Sequence, residues 1–273
     1  MRWIAVVLFF CSAHRSSAGF EQSEGGARAK ALGSAYTAIS DDAWAPAFNA
    51  GGLAQLHANE ASFFYSPQPF GLRELSITEC AIAVPAKFGV LGFFGRRYGY
   101  DLYREVSGVF SYANTLSGID IGLSVNYQSV SIDRYGSAGT IGIDAGLLAS
   151  VKQNFRWGFS ARNLNAPVIG VSREKLPQIF TGGIAYLPLE NITLALDYQK
   201  EISYDPSPRF GLECRVVESL ALRFGFSDAP SEFSGGFGVR YSFTRLDYAF
   251  TSHQDLGWTH QASISISWGG YHE

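Results

Sequence analysis

From Ile119 to Gln128 the chain alternates without a break. Ile119, Ile121, Leu123, Val125 and Tyr127 fall on one side, and Asp120, Gly122, Ser124, Asn126 and Gln128 on the other. A period of two is the period of a β-strand, whose successive side chains point to opposite faces of the sheet. The same pattern returns at 192–199, 209–216, 220–227 and 261–268, each time with one apolar and one polar face. After the first few residues, no stretch offers the ~18 uninterrupted apolar residues of a membrane helix.

Alternation of this kind fits a soluble sandwich or a transmembrane barrel. Three features favour the barrel. Segments follow one another through short turns such as 188–191 and 217–219. The apolar face often ends in an aromatic residue, as at Tyr127, Tyr186, Tyr198 and Trp268, where an interfacial girdle would lie. The polar face is made of Gly, Ser and mixed charges, which suits a narrow wet lumen. About fourteen candidate strands fit between Ala58 and Trp268, an even number as bacterial barrels have. The expected fold is therefore all-β, a transmembrane antiparallel β-barrel of about fourteen strands. Lipid offers an unpaired edge no partner, so the first and last strands must pair.

The chain starts differently. Met1-Arg2, the apolar run Trp3–Phe10 and the small residues Ser16-Ser17-Ala18 read as a cleaved secretory signal, residues 1–18. Its removal takes Arg2 and Arg15 with it and makes the formal net charge of −3 more negative, which argues against a nucleic-acid partner. Cys11 leaves as well. Cys80 and Cys214 could pair, but each sits among apolar strand positions and reads better as a buried or lipid-facing thiol.

Residues 19–56 are an Ala-rich extension ahead of a barrel spanning 57–273. Within it, "DDAWAPAFNAGGLAQL" (41–56) reads as a short helix: Ser40 or Asp41 caps it, 43–48 continue it, and Gly51-Gly52 end it and turn the chain. Pro46 must then lie in its first turn.

Catalytic patterns are lacking. His57, His253, His260 and His272 are scattered without metal-ligand spacing, and no Gly-x-Ser-x-Gly elbow occurs. "GGFGVR" at 235–240 lies mid-strand and is no phosphate loop. Asp144, Asp197, Glu213 and Asp247 fall on the polar faces and read as solvated or paired lumen charges. The expectation is a non-enzyme without cofactor or metal. One stretch, "FGVLGFFGRRYGYD" (88–101), breaks the alternation and carries Gly89, Gly92 and Gly95 at every third position, which permits a kink or only ordinary curvature.

Two regions resemble a known family. Gly26-Ala27-Arg28, Gly33-Ser34-Ala35, Asp41-Asp42-Ala43 and Asn49-Ala50-Gly51-Gly52-Leu53 follow, in order, the N-terminal signature of FadL-like outer-membrane proteins, closest in form to the PorV/PorQ-type branch with its uncharacterised spirochaete barrels. Ala50 stands where that signature has Pro, and Gly51 where it has Ala. Asp247-Tyr248-Ala249, Leu256-Gly257 and Thr259-His260 resemble its terminal hairpin. "ARNLNAP" and "ALRFGFSD" look like its inner strands.

The resemblance implies a barrel of the outer membrane of a diderm bacterium, inserted by the barrel assembly machinery. Its lumen would be plugged by residues 19–56, with Asp41, Asp42, Asn49, Gly51 and Gly52 as the plug motif. It further implies passive uptake of a hydrophobic ligand such as a long-chain fatty acid. A kink at Gly89, Gly92 and Gly95 in the third strand would then open the wall sideways, with Leu91 and Phe93 touching the ligand from inside. Trp44, Phe48 and Leu53, with Phe63, Phe64, Phe70 and Tyr103 taken as loop aromatics, would line a local pocket or only pack the plug against the wall. The PorV-type alternative is a carrier for secreted proteins that works through its loops, of which 163–177 looks the longest. A structural outer-membrane role is the third reading.

Overall fold

The computed structural model describes residues 25–228, 230–253 and 256–269. The expected leader at 1–18 lies outside them, as does His272. Sixteen strands follow a short irregular segment: β1 (Asn59–Ser66), β2 (Ile77–Ala86), β3 (Gly89–Gly99), β4 (Tyr103–Leu116), β5 (Ile119–Ile132), β6 (Gly136–Lys152), β7 (Phe155–Arg162), β8 (Val168–Ile169), β9 (Glu174–Lys175), β10 (Ile179–Leu189), β11 (Ile192–Glu201), β12 (Ser207–Val217), β13 (Leu220–Ser227), β14 (Glu232–Tyr241), β15 (Thr244–His253) and β16 (Gly257–Trp268). Fourteen of them close into one antiparallel barrel, each paired to its neighbours in chain order, with β7 next to β10. β8 and β9 form a separate two-stranded ladder. Closure pairs β1 with β16, from Asn59 opposite Trp268 to Tyr65 opposite Ala262.

Alternation sets the two surfaces. Along β5, Ile121, Leu123, Val125 and Tyr127 are exposed on the outside, while Ser124, Asn126 and Gln128 are buried inside. β16 does the same with Ala262, Ile264 and Ile266 outward and Gln261, Ser263 and Ser265 inward. Phe63, Phe93, Phe110, Phe210, Phe224 and Phe237 join this outer face. Tyr127, Tyr186, Tyr198 and Trp268 are all exposed on it. A continuous apolar exterior of this size around a polar interior is that of a barrel set in lipid. Cys80 is exposed among these residues and Cys214 half-buried; both are free thiols.

The two ends differ. Six connections at one end are two residues long, for example Ser117-Gly118. Both of those residues have positive φ (52° and 80°), the geometry that turns a hairpin in step with strand twist. The opposite end carries longer connections. The longest, 163–178, folds back on itself through β8 and β9 and buries Ile169 and Leu176 against Val130 and Ala138.

Ahead of β1, residues 25–56 form α1 (Ala27–Ala31), α2 (Ala45–Phe48) and a 3-10 turn (Ala50–Gln55). Almost every side chain there is buried. α1 packs against β13 to β16 and the 3-10 turn against β3 to β6, on the opposite side of the ring. The helix expected over 43–48 is shorter at its start. Its N-terminal backbone is served by Asp42, whose Oδ1 accepts from the Trp44 amide at 3.1 Å, so neither Ser40 nor Asp41 caps it. Gly51-Gly52 do not end a helical run; they sit inside the 3-10 turn, which Asn49 caps by accepting from the Gly51 amide at 3.1 Å.

Candidate functional site

Three arginines and five carboxylates lie between the N-terminal segment and the inner wall of β1, β12, β13 and β15. Arg28 of α1 donates two parallel bonds to Glu213, Nε to Oε2 and Nη2 to Oε1, each 2.9 Å. It also donates to Tyr36 Oη at 2.8 Å and pairs with Asp41 at 2.5 Å. Arg223 links Glu213 (2.6 Å) to Asp247 (2.7 Å). Arg245 links Asp247 (3.0 Å) to Asp42 (2.9 Å), with Glu60 at 3.6 Å. Burial works against the Arg28 charge, yet Asp41 and Glu213 carry its pKa well above the ordinary value. Burial lifts the Tyr36 phenol well above its usual range, so it stays a donor, to Asp42 Oδ2 at 2.8 Å. Every member is held by at least one opposite charge or hydrogen bond, the condition under which buried charges are tolerated.

Hydrogen bonds to the backbone complete the docking. Asp197 Oδ2 accepts from the amides of Tyr36 (3.0 Å) and Thr37 (2.9 Å). Asn49 Nδ2 donates to Thr37 O and Leu147 O, both at 2.8 Å. Inner-face glycines let the backbones touch. A Cβ on Gly225 would meet the Gly33 nitrogen at 2.0 Å, and one on Gly122 the Ala50 carbonyl carbon at 2.3 Å. Gly52 is needed within the segment itself, because its Cβ would meet Ser40 O at 2.2 Å.

Trp44, Phe48 and Leu53 are all buried and packed. Trp44 meets Phe64 and Phe94 edge-on at 6.4 and 6.2 Å between centroids, and Phe48 meets Tyr36 at 5.1 Å. They form the apolar half of the contact between segment and wall, not the lining of an open pocket. Leu91 and Phe93 do not face inward: Val90, Gly92 and Phe94 are buried inside, and Phe93 is exposed outside. The parity is fixed by Arg96, which pairs in register with Glu79 and lies 3.6 Å from its carboxylate on the inner side. Nor do Gly89, Gly92 and Gly95 break the strand. β3 is paired to β2 and β4 in unbroken register, so the wall is continuous there. Gly92 makes room for Leu53, whose Cδ1 would lie 2.6 Å from a Cβ at that position, while Gly95 faces out beside Cys80. Phe63 and Phe64 are strand residues of β1, the former outward and the latter inward.

Cavities open at both mouths. At the long-loop end, about 300 Å³ is lined by Lys30, Ser34, Glu201, Arg209 and Glu232. At the short-turn end, about 330 Å³ is lined by six arginines together with Ile39, Leu187, Leu220 and Glu218. A wider recess of about 700 Å³ at the same end touches Leu56, Pro85, Val90 and Ala113. Sequence reasoning placed the lumen carboxylates but missed Arg28, Arg223 and Arg245 as their partners. Position on the polar face was the available signal for the last two.

No protein-family model matches the chain, and no curated protein matches it either. Solved structures do. The Pseudomonas putida toluene transporter TodX aligns at a TM-score of 0.66 and 13% identity over 89% of this chain and 97% of that one. A Pseudomonas aeruginosa FadL homologue aligns at 0.59 and 12% over 90% and 96%. The Acinetobacter baumannii outer membrane protein Omp33 aligns at 0.52 and 9% over 78% and 98%. At these identities the likeness is one of fold, that of the closed antiparallel barrel described above.

Proposed function

We propose that the protein is an outer-membrane channel for hydrophobic small molecules, long-chain fatty acids among them, that crosses by diffusion past an N-terminal lumen plug. The observation that carries this reading is residues 25–56, which bridge opposite inner walls of a barrel similar in fold to a toluene transporter and a FadL homologue. The signal at 1–18, cleavage before Gly19 and insertion by the barrel assembly machinery belong to the same reading. The short-turn end would then face the periplasm and the long loops the outside.

The segment separates the two mouths, so transit requires it to shift. Its ion-pair lattice is the part that would open. The carrier reading draws on the loops, and the longest of these, which leaves Leu164 and Val171 exposed, is folded back on the barrel through Ile169 and Leu176. That leaves the channel reading favoured. Liposomes containing the purified barrel should take up labelled dodecanoate or toluene faster than empty liposomes; equal rates for both compounds would reject it.

A further inference from the structure

The short-turn mouth holds a feature that neither the fold nor the lattice above requires. Arg156 of β7, Arg215 of β12 and Arg240 of β14 all point to the lumen side and line the same cavity. Their parity is that of Gly158, Glu213 and Gly238, which face inward on the same strands.

The hydrogen bonds that two of these three make go to neutral oxygens. Arg156 Nη1 donates to Gln55 Oε1 at 3.0 Å and also interacts electrostatically with the Asp120 carboxylate, and Arg215 Nη2 donates to the Glu190 carbonyl. Among the described residues Arg240 has no side-chain hydrogen bond or ion pair, and it stands directly opposite Arg245 across the β14–β15 ladder. Like charges facing each other across a sheet are unfavourable unless an anion lies near. Arg245 spends its charge on Asp42 and Asp247, and Arg28 and Arg223 spend theirs on Asp41, Glu213 and Asp247. On the rim itself Glu218 is the one lining carboxylate outside that lattice among the described residues. Guanidinium groups whose hydrogen bonds go to neutral oxygens or that make none, in a concave site next to low-dielectric walls, concentrate anions and bind oxyanions through paired N–H donors.

We propose that this cavity is an oxyanion-binding site, taking the carboxylate or phosphate group of a small molecule at the short-turn mouth, with Arg156, Arg215 and Arg240 as its ligands. Two sources share that chemistry: a free anion and the head group of an amphiphile. Ile39, Leu187 and Leu220 on the same lining give an alkyl chain a surface to lie on. The site stands whether or not the barrel conducts hydrophobic cargo, because binding needs no transit.

The test uses the purified full-length mature barrel in non-ionic detergent and isothermal titration with inorganic phosphate, dodecyl phosphate, dodecanoate and dodecanol. Wild type should bind dodecyl phosphate and dodecanoate. Phosphate binding of equal strength assigns the free anion, and much weaker phosphate binding assigns the amphiphile. The triple variant R156Q/R215Q/R240Q should weaken oxyanion binding at least roughly tenfold, as losing charge-assisted donors does, and leave dodecanol unchanged. Should the triple variant fail to fold, R240Q alone, an exposed change, should still weaken binding several-fold. Arg134→Gln, at the opposite end and 90% exposed, should not. The proposal is overturned if wild type binds none of the three anions, or if R240Q and the triple variant bind them as wild type does. The second result would mean that the rim arginines act only as remote counter-charges for the lattice.

Discussion

Arg28 and Glu213 stand 185 residues apart in sequence and meet through two parallel 2.9 Å hydrogen bonds inside the barrel. The fork of a guanidinium matches the two oxygens of a carboxylate, and here it ties the N-terminal segment to β12.

Glu213→Gln should loosen that tie. It leaves Arg28 and Arg223 buried with one fewer anion between them, and removing one partner of a buried pair costs about 3–5 kcal/mol. Limited proteolysis should cut the 25–56 segment in the variant under conditions where wild type resists, with β-sheet circular dichroism unchanged. Equal resistance would show that the pair does not hold the segment.

Inner and outer glycines should respond oppositely to a single methyl group. Gly225→Ala drives a carbon to within 2.0 Å of the Gly33 nitrogen, whereas Gly182 has nothing within 4 Å of the same position. Single-channel conductance should rise for Gly225→Ala as the segment is displaced and stay at the wild-type level for Gly182→Ala.

Gly92→Val acts on the same contact from another side. In an open wall it would block lateral exit. In this wall it presses on Leu53 and Pro46, so the expected outcome is freer passage of labelled ligand into liposomes. Reduced passage would restore the gate in β3.

Trp44→Ala removes the ring held between Phe64 and Phe94. Large-to-small changes at such sites cost about 3–5 kcal/mol. Urea titration of the folded barrel in micelles should show an earlier midpoint. An unchanged midpoint would mean that this contact adds nothing to stability.

Val125→Arg tests the lipid. Val125 faces out between Phe110 and Ile143. An arginine near the bilayer midplane of a barrel costs about 2–4 kcal/mol, while on a water-exposed surface it would be worth almost nothing. Folding into bilayers, followed by urea titration, should show the larger loss.

The barrel was legible because its signal is local. Ile121, Leu123 and Val125 declare a face by spacing alone, and the strand run from Ala58 to Trp268 closely brackets the sheet that forms, Asn59 to Trp268. The third strand misled because Phe93 and Phe94 are equally apolar, so alternation does not choose between them. Glu79 and Arg96, opposed across β2 and β3, would have chosen. Docking of the N-terminal segment was not legible in the same way. Which arginine meets which carboxylate depends on bringing α1 to β12 and β13, and nothing in either stretch alone records that.

The seam also bears on assembly. β1 follows the inner segment directly, and its partner β16 comes from the far end of the chain, Asn59 lying opposite Trp268. Such a distant pairing carries the largest loop-closure cost in the ring. The ring is therefore expected to zip shut last, around a core already seated. With Gly225 against Gly33 at main-chain distance, the expected order of assembly seats the insert before the wall closes around it.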